Sequence, residues 1–156
     1  MFDAVVGKRW RELNPSFVRM NHSWDWDADQ MATTARHMAF FQTTGSEIYL
    51  ATWDPKETKT AEERAEYARR IVDHLEFFQR RQGLENLKTY CMSNELTLGR
   101  WGRMAEELPT LRDYHQAIFD ELKARKLDIQ LLATDAAPID YWPTLQWAAE
   151  HMDAIT

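Results

Sequence analysis

Glu47-Ile48-Tyr49-Leu50-Ala51-Thr52, the amphipathic run from Thr60 to Arg81, and Leu87-Lys88-Thr89-Tyr90-Cys91-Met92 together decide the fold. The two hexamers have the length of strands, and each ends in polar or aromatic residues. Between them, Tyr67, Ile71, Leu75 and Phe78 make one apolar helix face, Thr60 and Glu63 form a capping box, and Gly83 follows the basic Arg80-Arg81 end. Strand, helix, strand at this spacing is a βαβ unit, because parallel strands need a crossover and a helix supplies it.

The alternation continues outward. Ser16 to Met20 and Asp128 to Ala133 are further strand-length runs. Asp27 with Gln30 caps a helix that carries Met31, Ala35, Met38 and Phe41 on one face and ends at Thr44-Gly45. Leu111, Tyr114, Ile118 and Leu122 mark a helix to about Arg125, and Trp142, Leu145, Ala149 and Met152 a shorter one after Asp140. A helix from Phe2 to about Leu13 opens the chain and stops at Asn14-Pro15. Met152 to Thr156 reads as the start of a fifth strand. The order is a helix, four βα units and a strand start, an α/β pattern with parallel strands in sequence order. A doubly wound nucleotide-binding sheet would want a Gly-rich turn after an early strand, and the five glycines sit mostly at helix ends or in loops. A (β/α)8 (TIM) barrel is favoured. A closed one needs about 250 residues, so residues 1–156 are expected to form a single partial barrel domain.

Composition narrows the function. With 19 Lys plus Arg against 25 Asp plus Glu, the formal charge is −6, which argues against a general nucleic-acid binder. No apolar run approaches the roughly 20 residues of a spanning helix, so no membrane segment is expected. Cys91 is the lone cysteine, and His37, His74, His115 and His151 are scattered over separate helices, so neither a metal nor another cofactor is expected. Seven Trp in 156 residues exceed what a core of this size calls for.

In parallel α/β folds the chemistry lies where strands end. The first strand carries Arg19 and runs into Asn21-His22-Ser23-Trp24-Asp25-Trp26. The second ends in Trp53-Asp54-Pro55, the third in Ser93-Asn94-Glu95 and the fourth in Thr134-Asp135. Polar groups beside flat apolar rings suit a sugar, which has hydroxyls at its rim and C–H groups on its faces. A carbohydrate is the expected ligand.

These residues carry a resemblance to glycoside hydrolases of clan A, the (β/α)8 retaining enzymes that include families 5, 30 and 39. Tyr90-Cys91-Met92-Ser93-Asn94-Glu95 is similar to the Asn-Glu ending of that clan's fourth strand. Phe17-Val18-Arg19-Met20 looks like the second strand with its inward arginine, and Leu50-Ala51-Thr52-Trp53-Asp54-Pro55 like the third with its Trp-x-Pro turn. On this alignment Met1 lies in the first helix and Asp153-Ala154-Ile155 starts the sixth strand, so the resemblance covers the middle of the barrel. It implies a glycosidase in which Glu95 is the general acid/base and Asn94 holds the sugar 2-hydroxyl. It gives Arg19 a supporting role next to the missing nucleophile, makes Trp53 a candidate sugar platform and puts His22 near a loop where the family has a polar sugar contact; Asp135 is a candidate contact by its place at the end of the fourth strand. Retention needs a second carboxylate about 5–5.5 Å away. The clan supplies it from a seventh strand that these 156 residues lack, so the chain alone is expected to be inactive.

Each residue also has a plain structural reading. Glu95 could cap a helix or pair with Arg100; Arg19 could be a buried structural arginine, His22 a satisfied loop histidine, Asp135 a strand terminator, and Trp24, Trp26 and Trp53 rim packing. Cys91, placed before its strand ends, is expected to be buried rather than nucleophilic. The rival to a hydrolase is a non-catalytic α/β module that binds sugar or protein through the same surface. A partial barrel leaves unpaired sheet edges, so self-association of the isolated chain is expected.

Overall fold

Four parallel strands in the order β1 (Phe17–His22), β2 (Glu47–Thr52), β3 (Leu87–Cys91) and β4 (Gln130–Leu132) form one sheet. This is the α/β pattern read from the sequence. The computed structural model describes residues 2–53, 55–94, 104–133, 135 and 141–152. Among the described residues five α-helices accompany the sheet: α1 (Lys8–Leu13), α2 (Ala28–Thr43), α3 (Ala61–Glu76), α4 (Met104–Arg125) and α5 (Tyr141–His151). A π-helical segment, Phe2–Gly7, leads into α1, and another, Phe77–Arg81, extends α3.

The helix ends follow local chemistry. Asp27 and Gln30 exchange both bonds of a capping box, each 2.9 Å long. The Thr60 box is only half made: its hydroxyl accepts from the Glu63 N–H at 3.2 Å, while Glu63 takes the Lys59 N–H at 2.7 Å instead of that of Thr60. Gly45 and Gly83 close their helices at φ of +76° and +66°, where a Cβ would be strained. Asn14 ends α1 in the same left-handed region.

Strand alternation divides the sheet into unlike faces. Ile48, Leu50, Leu87, Tyr90 and Leu131 are buried under Met38, Ile71, Leu75, Phe78, Leu111 and Ile118 from the helices. The opposite face carries Arg19, Asn21, Glu47 and Gln130, all exposed, with Tyr49 and Thr89 half-buried. Phe17 at one end is 62% exposed. Strands paired in sequence order with crossovers of one hand place their helices on one side, which explains why no described helix covers the second face, although Ala51 and Cys91 on it are buried. Its N-terminal half holds a hollow of about 550 Å³ lined by Phe17, Glu47, Tyr49, Thr89 and Leu132. Pairing of β2 with β3 jumps from Ile48↔Leu87 to Tyr49↔Thr89. The bulge at Lys88 therefore keeps Leu87 and Tyr90 on the covered face and Thr89 on the open one.

Strand bounds and one helix face differ from the sequence reading; β3, for one, ends at Cys91 rather than Met92. β1 runs two residues further, through Asn21 and His22, because both pair with β2. β4 is shorter, its ladder covering only Gln130 to Leu132. In α5 the inward residues are Ala148 and Met152, while Leu145 is 39% exposed and Ala149 is exposed. The strand expected from Asp153 onward lies outside the described residues.

Candidate functional site

At the C-terminal end of the open face, side chains from four separate segments meet on one guanidinium. Arg19 projects from β1. One of its nitrogens, Nη2, donates to the Asp135 Oδ2 at 2.7 Å and to the Asn94 Oδ1. Tyr49, its register partner on β2, lies beneath, with the guanidinium carbon 5.5 Å from the ring centroid. The Tyr49 hydroxyl donates to the same Asp135 oxygen at 3.3 Å.

The electrostatics follow from these contacts. Burial works against the Arg19 charge, but Tyr49 and the Asp135 carboxylate outweigh it, and the pKa of Arg19 is raised. Burial, followed by Cys91 and Asp135, raises that of Tyr49 and keeps the phenol protonated. Arg19 and Asp135 retain 37% and 23% side-chain exposure, so the pair is neither dry nor fully screened. Asn94 Oδ1 is taken by Arg19, which turns the amide so that Nδ2 remains as donor. Asp135 Oδ1 likewise has no hydrogen bond among the described residues.

The structure thus brings Arg19, Asn94 and Asp135 together. Trp53 follows β2 at the same end of the sheet and is 60% exposed. Trp24 and Trp26 are half-buried against the core, and Lys56 and Arg70 tie down Trp24 by a cation–π contact and a backbone hydrogen bond. Glu95 lies outside the described residues. Cys91 is buried, and burial raises its pKa, so the thiol is held protonated.

His22, expected as a sugar contact, occupies the other face. It is 1% exposed and sits in a chain of buried polar groups. Tyr90 Oη lies 2.5 Å from Thr52 Oγ1, Thr52 Oγ1 lies 2.9 Å from His22 Nδ1, and His22 Nε2 lies 3.0 Å from His74 Nδ1. The hydrogens have one consistent order. Tyr90 donates to Thr52, Thr52 donates to His22 Nδ1, and His22 donates from Nε2 to His74; the reverse order would strand the phenol hydrogen, whose one hydrogen-bonding neighbour among the described residues is Thr52. Burial, then the neighbouring His74, pushes the His22 pKa down to about 3. His74 is lowered by burial and Arg70 against the opposing pull of Asp73. Both rings are neutral at pH 7, and neither nitrogen of His22 is left for a ligand.

Tyr49 was missed as a site residue, although its alternation with Ile48 and Leu50 placed it on the open face. Among the described residues no group of three or more His, Cys, Asp or Glu side chains could hold a metal. No described helix is long and apolar enough to cross a membrane. No family model, curated protein or solved structure matches the chain.

Proposed function

We propose that the chain is the central part of a (β/α)8 retaining glycosidase, with Glu95 as general acid/base and the Arg19 cluster as the floor of its sugar site. The observation that carries the reading is the convergence of Arg19, Asn94 and Asp135 at the C-terminal end of a parallel sheet, with Trp53 exposed at the same end. Sequential parallel pairing, with one face covered by helices, is compatible with an arc of a barrel. Asn94 offers its N–H group to a sugar hydroxyl, Asp135 Oδ1 accepts one, and Trp53 offers a flat apolar surface. Glu95 follows Asn94 directly in sequence; in this role it protonates the leaving oxygen and then activates water. The nucleophile is a second carboxylate from a further strand.

The test uses the protein extended by the remaining barrel strands. Glu95→Gln should slow cleavage of natural glycosides far more than of aryl glycosides with good leaving groups, because protonation matters most for a poor leaving group. Equal slowing of both removes Glu95 from the acid role. A non-catalytic module is the rival; it would bind sugar in the extended protein without turnover. The uncovered sheet face further leads us to propose that the 156-residue chain self-associates. Sedimentation at micromolar concentration checks this, and a monomer would reject it.

A further inference from the structure

We propose that Asp135 is a specificity-determining residue that makes this site select neutral sugars over acidic ones, by compensating the Arg19 charge in an ion pair. The inference rests on the reading of this cluster as a sugar site. A guanidinium at the floor of a polar site is ordinarily the strongest attractor of a carboxylate. Here its charge is compensated by a carboxylate 2.7 Å away, one that also takes the Tyr49 hydroxyl and so is held from two sides. The same Arg19 nitrogen is committed to Asn94. Among the described residues, the Asn94 Nδ2 donor, the Asp135 Oδ1 acceptor and the Nε and Nη1 donors of Arg19 have no hydrogen bond, but the Arg19 charge is already matched by Asp135. Adjacent hydroxyls, each able to donate and accept, suit donors and acceptor alike. A uronic acid carboxylate is disfavoured: the Arg19 charge that would attract it is already compensated, and it would lie beside the Asp135 carboxylate, where like-charge juxtaposition is a strong rejection.

Neutralising Asp135 while keeping its shape should therefore invert the preference. The measurement is NMR titration of the chain, reading the Arg19 Nε–H and Trp53 indole signals, with methyl β-glucoside, sodium glucuronate and sodium acetate at constant ionic strength. The wild-type chain should respond to the neutral glycoside and not to the two carboxylates. In D135N the glucuronate-to-glucoside affinity ratio should rise by about tenfold or more, the scale of one released charge-assisted hydrogen bond. Acetate should then shift Arg19, and R19Q added to D135N should abolish that gain. If D135N does not fold, D135S carries the same expectation. A ratio unchanged within about twofold, in a wild-type chain that binds the neutral glycoside, overturns the role of Asp135 and leaves the sugar reading intact. No response to any glycoside overturns the sugar reading. Acetate binding that is no stronger in D135N than in the wild type overturns the compensation of Arg19 by Asp135 irrespective of sugars.

Discussion

Two polar networks lie back to back at the C-terminal end of the sheet, and they are built on opposite terms. On the covered face Tyr90, Thr52, His22 and His74 form a neutral, buried chain in which every hydrogen of the buried links has a partner. On the open face Arg19, Tyr49, Asn94 and Asp135 form a charged, part-exposed cluster that, among the described residues, leaves donors on Asn94 and Arg19 and an acceptor on Asp135 unspent. A saturated network in low dielectric contributes to stability and registers three strand ends against α3. An unsaturated one beside water contributes little to stability and has capacity for a ligand. Unspent hydrogen bonds, not the number of polar side chains, mark the candidate site.

The largest expected difference between the two faces is in acid. In the unfolded chain His22 and His115 protonate near their ordinary value of 6.5, whereas folding holds His22 to about 3 and His115, through burial against an opposing hydrogen bond to the Leu132 backbone, to about 4. Between these values the unfolded state binds more protons, so stability is full above pH 6.5 and is lost as the pH falls. Each group contributes up to roughly 1.4 kcal/mol per pH unit, several kcal/mol by pH 4.5. Urea unfolding at pH 7 and pH 5 measures the slope. His22→Asn should remove about half of this histidine contribution, and a wild-type midpoint that does not move between the two pH values would break the comparison.

Next in size are truncations. His22→Ala leaves Thr52 and His74 without their partner and opens a buried void, at a cost of about 2–4 kcal/mol. Arg19→Ala, across the sheet, should cost less than about 1 kcal/mol, because its ion pair is part-exposed. Calorimetric melts at pH 7 compare them; similar losses would make the Arg19 cluster a structural clamp rather than a site.

How much of this was legible depended on parity and on reach. The order of elements followed from period and caps, and the strand β2 matches its sequence reading from Glu47 to Thr52. The two faces were legible too, by a step the motif reading passed over: Arg19 and His22 are three apart on one strand, so a period of two sends them to opposite sides. Both could not line one site. His74 and His115 fall at helical spacing from Ile71 and Leu111, inside the buried stripes of α3 and α4, which marked them as core histidines. The meeting of Arg19 with Asp135 spans 116 residues. It depends on how far the Arg19 side chain reaches across the sheet to the loop after β4, and no local pattern encodes that.

The smallest effect is the sharpest test, since it removes one hydroxyl from each face. Tyr90→Phe deletes the donor at the closed end of the covered chain. Thr52 keeps its bond to His22 but loses its incoming hydrogen in a buried site, so the cost should be about 1 kcal/mol. Tyr49→Phe deletes the 3.3 Å donation to Asp135 and leaves the ring beneath Arg19 in place. Asp135 Oδ2 still has Arg19 at 2.7 Å, and water can replace the missing hydroxyl at a part-exposed oxygen, so the cost should be a few tenths of a kcal/mol. Paired urea titrations at pH 7, above the range in which the histidines titrate, resolve a difference of this size when both variants are fitted with one slope. If Tyr49→Phe proves the more costly, the hydrogen bonds of Asp135 are part of what holds the sheet together. The open-face cluster would then be a structural ion pair with no free capacity, and the sugar site would have to be sought elsewhere.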